Sequence, residues 1–206
     1  MSTAQKAMRL LAVLVAGCER LTEPGRDGEA ALFRGETRLN ALMFWLRNPD
    51  YLAWGLLDLH AASGDQGLVD QVKAMLEDEE PVLRRDAMLK WRFGAYEPID
   101  DEMSILFSAG LVRTVFRPAG PKSAENSFLL FPAAFDLEGT LADNPAYRWY
   151  AERMRIVLRV AGSLLGSTLK ERQYKQMEYA TTRGHDLIPP ITHRVVERLA
   201  AMAGEN

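Results

Sequence analysis

The sequence predicts a mainly α-helical protein with a small two-stranded β wing, a winged-helix-like domain embedded in a helical bundle. Three observations lead there. Apolar residues recur at helical spacing along most of the 206 residues, of which 48% are hydrophobic and 26% charged. Asn-Pro pairs at 48–49 and 144–145 read as a cap followed by proline at the first helical position. Between residues 99 and 131 a short helical pattern, then Gly110-Leu111-Val112, then two strand-like segments occur in that order, which is the order of a winged helix-turn-helix. The expected organisation is an N-terminal helical region (1–80), a winged-helix-like module (81–145) and a C-terminal helical region (146–206), together one compact unit.

Ser2-Thr3-Ala4-Gln5 offers a capping box. Ala4, Met8, Leu11, Val15 and Cys18 then follow as a helical stripe. The run Leu10–Cys18 also imitates a lipoprotein signal, with Val15-Ala16-Gly17-Cys18 as its lipobox. That apolar run falls far short of the ~20 residues that span a bilayer and is short for a signal core. A buried first helix and a cytoplasmic location without membrane contact are preferred; the lipobox stays open.

Glu23–Gly28 is rich in turn formers and reads as a loop. From about Gly35 a second helix carries Leu39, Leu42, Met43 and Leu46. The third follows Asn48-Pro49 with Leu52, Leu56, Leu57 and Leu59 on its apolar side, and ends at Ser63-Gly64. A fourth runs from about Leu68 to Leu76, and Glu77-Asp78-Glu79-Glu80 is expected as its solvated end. In the middle segment, Ile99–Ala109 is a short helix with Asp100-Asp101 in the favourable first turn. Gly110 is its C′ residue, Leu111–Arg117 has strand composition, Pro118–Asn126 is a long hairpin tip and Ser127–Phe131 returns. Pro132–Leu141 is helical. A long amphipathic helix after Asn144-Pro145 places Tyr147, Tyr150, Met154, Val157, Leu158, Ala161 and Leu165 on one face and Arg148, Arg153, Arg155 and Arg159 on others. A helix from Ser167 to about Met177, the Gly184–Pro190 loop and a closing helix near Thr192–Met202 complete the chain.

No catalytic constellation accompanies these elements, and the chain is not expected to be an enzyme. His60, His185 and His193 lack metal-ligand spacing with one another or with Cys18, the single cysteine. Neither a GxxxxGK[ST] loop nor a GxGxxG turn is present, so no nucleotide cofactor is expected. GxSxG is also absent, and Gly162–Ser167 reads as a break between helices. One cysteine cannot close an intrachain disulfide, which fits a reducing compartment.

Charge is unevenly spread. Residues 1–146 carry 15 basic and 22 acidic side chains, net −7, whereas residues 147–198 carry 10 and 5, net +5. The basic part suits an acidic partner or a phosphate backbone, and equally an internal match between the halves. A reading helix normally offers Arg, Lys, Asn or Gln to base edges. Here it is expected to present Asp100, Asp101, Glu102, Ser104 and Ser108, and such carboxylates repel phosphates. Candidate phosphate contacts are therefore Arg113, Arg117 and Lys122 on the ribbon, with Arg148 and Arg155 on the long helix, for non-specific contact to double-stranded DNA; alternatively the ribbon cations simply solubilise an edge strand.

Three segments resemble a known family. Glu36-Thr37-Arg38-Leu39-Asn40-Ala41-Leu42-Met43-Phe44-Trp45-Leu46-Arg47-Asn48-Pro49-Asp50-Tyr51-Leu52 resembles the helix-then-N-P-x-x-L block in the middle components of bacterial ABC three-component conflict systems, with the small subunit of Lamassu-type anti-phage defence complexes in the same group. Lys90-Trp91-Arg92-Phe93-Gly94-Ala95-Tyr96-Glu97-Pro98, continuing to Gly110-Leu111-Val112, is similar to their basic/aromatic-G-x-Y-x-P … GL[IV] block. The helix beginning at Tyr147, with its break at Gly162–Ser167, resembles their closing region. Together these cover roughly half of the chain. The resemblance implies a non-catalytic accessory subunit that joins an SMC- or Rad50-like ATPase to an effector, often a nuclease. Trp45, Trp54, Trp91 and Trp149 are then the candidate interface anchors, since Trp is enriched at hot spots. The alternative is a free-standing winged-helix DNA-binding transcriptional regulator.

Overall fold

The computed structural model describes residues 1–91, 94–120 and 123–204. The chain is mainly helical with a small β part in two sheets. It divides into two units, each discontinuous in sequence: unit 1 is Met1–Met43 with Glu97–Glu171, and unit 2 is Phe44–Tyr96 with Arg172–Asn206. Three consecutive segments were expected from the sequence; here each unit joins an early stretch to a late one, because strand pairing and helix packing bring them together.

Unit 1 is built around helix α1 (Thr3–Gly17). Its capping box is formed: the Gln5 amide donates to Ser2 Oγ (3.2 Å), and the Ser2 amide to Gln5 Oε1 (2.8 Å). Strands β1 (Glu19–Arg20) and β2 (Ala31–Phe33) follow, then the first part of α2 (Glu36–Arg47). The late stretch supplies α6 (Asp100–Ser108), β5 (Val112–Gly120), β6 (Ser123–Leu130), α7 (Pro132–Leu141) and α8 (Pro145–Ala161), and α9 (Gly166–Tyr174) carries the chain into unit 2. Helix α1 packs on α6, α7, α8, β2 and β6. Neighbours on several sides explain why Leu10, Leu11, Val13 and Leu14 are all buried, whereas Ala4 of the expected stripe is exposed and Met8, Val15 and Cys18 are half-buried.

The expected two-stranded wing is part of a four-stranded antiparallel sheet, ordered β1-β2-β6-β5. Val112 pairs with Leu130, which pairs with Ala31; Thr114 pairs with Phe128, which pairs with Phe33. Alternation therefore puts Ala31, Phe33, Val112, Phe128 and Leu130 on one face, all of them buried. The Phe33 and Phe128 ring centroids are 6.2 Å apart. Strand pairing also runs into the segment 118–126 expected as the hairpin tip, as far as Gly120 opposite Ser123. Pro118 is compatible with this because β5 is the outermost strand, where a missing N–H need not interrupt the ladder. The order α6, Gly110-Leu111, β5, β6 is the winged-helix-like element expected from the sequence.

Unit 2 contains the end of α2, then α3 (Pro49–Ser63), α4 (Gln66–Glu77), α5 (Glu80–Leu83), β3 (Leu89–Trp91) and β4 (Gly94–Tyr96). Its late stretch adds α10 (Met177–Thr181) and α11 (Thr192–Gly204). Phe44 sits edge-on to both Tyr51 (4.8 Å) and Tyr179 (5.0 Å) at the centre. Asn48 occupies the expected N-cap position of α3, yet its side chain forms no cap; Nδ2 donates to the Phe44 carbonyl instead (2.8 Å). Asn144 does cap α8, accepting from the Ala146 and Tyr147 amides. In the acidic run, Glu77, Asp78 and Glu79 are exposed, but Glu80, the first residue of α5, is buried.

Candidate functional site

Helix α6 is anchored to unit 1 through charge as well as apolar packing. Leu106 is buried, and so is Glu102, which the sequence places on the outer face. Glu102 and Glu97 both meet Lys6 (3.9 and 3.5 Å), and Glu97 also meets Arg9, which is 2% exposed, at 3.0 Å. Lys6 and Arg9 of α1 thus neutralise the acids at the entrance and inner side of α6, an arrangement that covers part of the desolvation cost of a buried carboxylate. The outer face carries Asp100, Asp101, Ser104, Ile105, Phe107 and Ser108, all exposed. At 100° per residue, Asp100, Ser104 and Ser108 form its middle row, with Ile105 and Phe107 on the two flanks. Ile105 is 41% and Phe107 60% exposed.

That combination is acidic, hydroxylic and apolar. It offers phosphates no cation, and it offers base edges no Arg, Lys, Asn or Gln. Ile105 and Phe107 add exposed apolar surface at its two edges, with the acidic and hydroxylic row between them. Nothing in the apolar periodicity of α6 gives Phe107 away, because it follows the buried Leu106 directly. Phe116 of β5, 75% exposed, was also missed; it shares the sheet face of Val112 and Thr114 by alternation.

The candidate phosphate contacts are scattered. Arg113 pairs with Asp27 at 2.7 Å and with Glu29, so its charge serves the 27–29 loop. The Glu29 carboxyl is held below its usual range by the backbone amides of Glu29 and Asp27 and, secondarily, by Arg113. Arg117 is exposed on β5 and stands opposite Glu125 in the ladder. Lys122 lies outside the described residues. Arg148 donates to the Ala142 carbonyl (3.1 Å) and meets Asp143 (3.5 Å). Arg155 is exposed, whereas Arg153 is buried, 5.4 Å from the Trp149 ring centroid. In unit 2, Arg194 and Arg198 lie over Trp54 and also pair with Glu178 and Asp58. Arg148, Arg194 and Arg198 thus have acidic partners within their own units.

The tryptophans differ in the same way. Trp45 is buried and belongs to the core. Trp54 and Trp149 are half-buried, the latter edge-on to Tyr150. Trp91 is exposed beside His185, whose ring centroid is 4.3 Å away.

Parts of two segments quoted for the family resemblance, 44–52 and 90–96, fall in unit 2. Asp50, fully buried, accepts from the Ile191 amide (2.6 Å) and from the Tyr51 amide (3.0 Å). Tyr51 Oη donates to the Pro189 carbonyl (3.0 Å), and Arg85 donates to the Ile188 carbonyl. Lys90 is buried; its Nζ donates to the Tyr179 and Ala180 carbonyls (2.8 and 2.7 Å) and lies 4.9 Å from the Tyr174 ring centroid. Burial lowers the pKa of this ammonium.

Cys18 is half-buried, donates to the Val15 carbonyl (3.1 Å), and has its thiol pKa raised by burial. His60 Nδ1 contacts the Asp65 carbonyl (2.9 Å). It borders a cleft of about 430 Å³ in unit 2, lined also by Val69, Lys73, Leu199 and Met202. Among the described residues no group of three or more His, Cys, Asp or Glu is placed to hold a metal ion, and no helix is long and apolar enough to cross a membrane. No family model, curated protein or solved structure matches the chain.

Proposed function

We propose that this protein is a non-catalytic accessory subunit of a cytoplasmic bacterial anti-phage complex, joining an SMC- or Rad50-like ATPase to an effector. The observation that carries the docking role is the outer face of α6, where Asp100 and Asp101 stand with exposed Ile105 and Phe107. A winged helix with this face is suited to a polypeptide partner; its ribbon, through Arg117, adds at most salt-sensitive, sequence-independent DNA contact. The partner classes rest on the resemblance of the segments at 36–52, at 90–98 with 110–112, and of the helix beginning at Tyr147 with its break at 162–167.

Co-expression with the products of neighbouring genes, followed by affinity purification and size exclusion, tests this role. A large ATPase and an effector are expected to co-elute with the wild type, and the double variant Ile105→Asp/Phe107→Asp is expected to lose one of them while remaining folded. If no ATPase co-elutes, the proposal fails. Tight, sequence-specific retention of a promoter fragment by the isolated protein would establish the transcriptional regulator instead.

A further inference from the structure

Unit 2 carries a second exposed apolar surface, on the β3–β4 ribbon. Leu89 pairs with Tyr96 and Trp91 with Gly94. On the other side of β3, the segment 185–188 adds to the ribbon. Lys90 and His185 exchange a hydrogen bond from the His185 amide to the Lys90 carbonyl (2.7 Å), the Lys90 amide donates to the Asp186 carbonyl (2.9 Å), and the Ile188 amide donates to the Met88 carbonyl (3.0 Å). Leu89 bridges to Leu187. Because strand side chains alternate, Leu89, Trp91, Tyr96 and Leu187 share one face. Leu89 is 45%, Trp91 41% and Leu187 58% exposed. Lys90 and Ala95, on the other face, are buried.

The platform is held rigidly from behind. Lys90 Nζ is fixed by two carbonyls, and the Ala95 amide donates to Tyr179 Oη (2.7 Å). His185 takes φ +74°, a left-handed conformation uncommon for a residue other than glycine, and its ring meets Trp91 edge-on.

The apolar area offered by these side chains is on the order of 300 Å², at the lower end of functional surface patches. A stable folded partner, or a second copy of this chain, needs about 800 Å² per side. These four side chains alone supply less than that, the footprint of a short segment, whereas a folded partner would have to cover residues well beyond them. Among the described residues beside it, Arg183 and Asp186 are both exposed and carry opposite charges.

We propose that the Leu89–Trp91–Tyr96–Leu187 face is a second docking surface, which seats a short, uncharged apolar segment of a partner polypeptide. It rests on the accessory-subunit reading only in making such a segment part of the complex; its test needs no complex. A random 16-residue peptide library displayed on phage is selected against the wild-type protein, and synthetic peptides from the enriched clones are titrated by fluorescence anisotropy. Apolar peptides are expected to bind, with affinity reduced at least tenfold by Leu187→Asp or Leu89→Ser and unchanged by Phe107→Asp. Circular dichroism melts report whether the variants are folded; these side chains are exposed, so native melts are expected. Absence of enrichment, or peptides that bind the Leu187→Asp and Leu89→Ser variants as tightly as wild type, overturns the proposal. So does sedimentation showing a wild-type dimer that Leu187→Asp dissociates, since the occupant is then a second copy.

Discussion

Asp50 Oδ2 accepts a 2.6 Å hydrogen bond from the backbone amide of Ile191, 141 positions later in the chain. Its other oxygen accepts from the Tyr51 amide. Burial pushes this carboxyl above its usual range, opposed by the Ile191 amide and the Arg85 charge. With a raised native pKa, the folded chain binds more protons than the unfolded chain just above the ordinary carboxyl pKa. Stability attributable to Asp50 therefore falls as pH rises through that window and levels off above the native pKa. Asp50→Asn has no such slope. The variant is expected to carry a constant penalty of about 1–3 kcal/mol, because one amide donor faces an NH2 group. The gap to wild type should shrink as pH is raised from 4 towards 7. Urea unfolding across that range measures it, and a pH-independent gap removes Asp50 from the account.

Tyr179 Oη accepts from the Ala95 amide (2.7 Å) and donates to Gln173 Oε1 (3.2 Å), all within unit 2. Tyr179→Phe keeps the ring packing on Phe44 but strands a buried amide. A loss of about 1–3 kcal/mol is expected, with faster hydrogen exchange at Ala95 than at neighbouring core amides. Unchanged Ala95 protection would mean that the amide has another acceptor.

Local signals were the legible part of the sequence. The Ser2–Gln5 capping box, the Asn144-Pro145 start of α8 and the bounds of α7 depend on residues a few positions apart, and all appear in the structure. Strand β2 was not legible: it has three residues, and its partner β6 lies about a hundred positions away. The two-unit division was hidden for the same reason. Within the candidate site, the acidic character of α6 could be read directly. The inward turn of Glu102 could not, because it depends on Lys6 from a distant helix. Arg113 similarly looked available for phosphate until folding placed Asp27 and Glu29 beside it.

Gly166 opens α9 in close contact with α2. A Cβ there would sit 2.5 Å from the Arg38 backbone nitrogen and 2.7 Å from Thr37 Cβ. Backbone cannot yield as a side-chain tip does, so Gly166→Ala should destabilise by about 1–3 kcal/mol. Gly139 lies inside α7 with nothing within 4 Å of the same position. Gly139→Ala should therefore stabilise by about 0.5–1 kcal/mol through helix propensity. Paired chemical unfolding curves decide the matter, and equal signs would count against the α2–α9 packing.

The Arg113 cluster separates a structural role from DNA contact. The Glu29 carboxyl is held low first by the Glu29 and Asp27 amides, and Arg113 adds to that effect. A depressed carboxyl pKa contributes stability above its unfolded value, and that contribution is lost as pH falls through the folded pKa. Arg113→Ala should lower the melting temperature at pH 7, and the difference from wild type should narrow on acidification below about pH 4.5. Arg113→Lys should recover only part of the loss, because a single ammonium lacks the fork that reaches both Asp27 and Glu29. Retention of double-stranded DNA at low salt should be the same for wild type and Arg113→Ala, since the guanidinium already has acidic partners within the fold. Arg117→Ala is the comparison that should weaken any retention present. Equal melting temperatures together with a clear drop in DNA retention for Arg113→Ala would reverse this assignment and return Arg113 to the nucleic-acid surface.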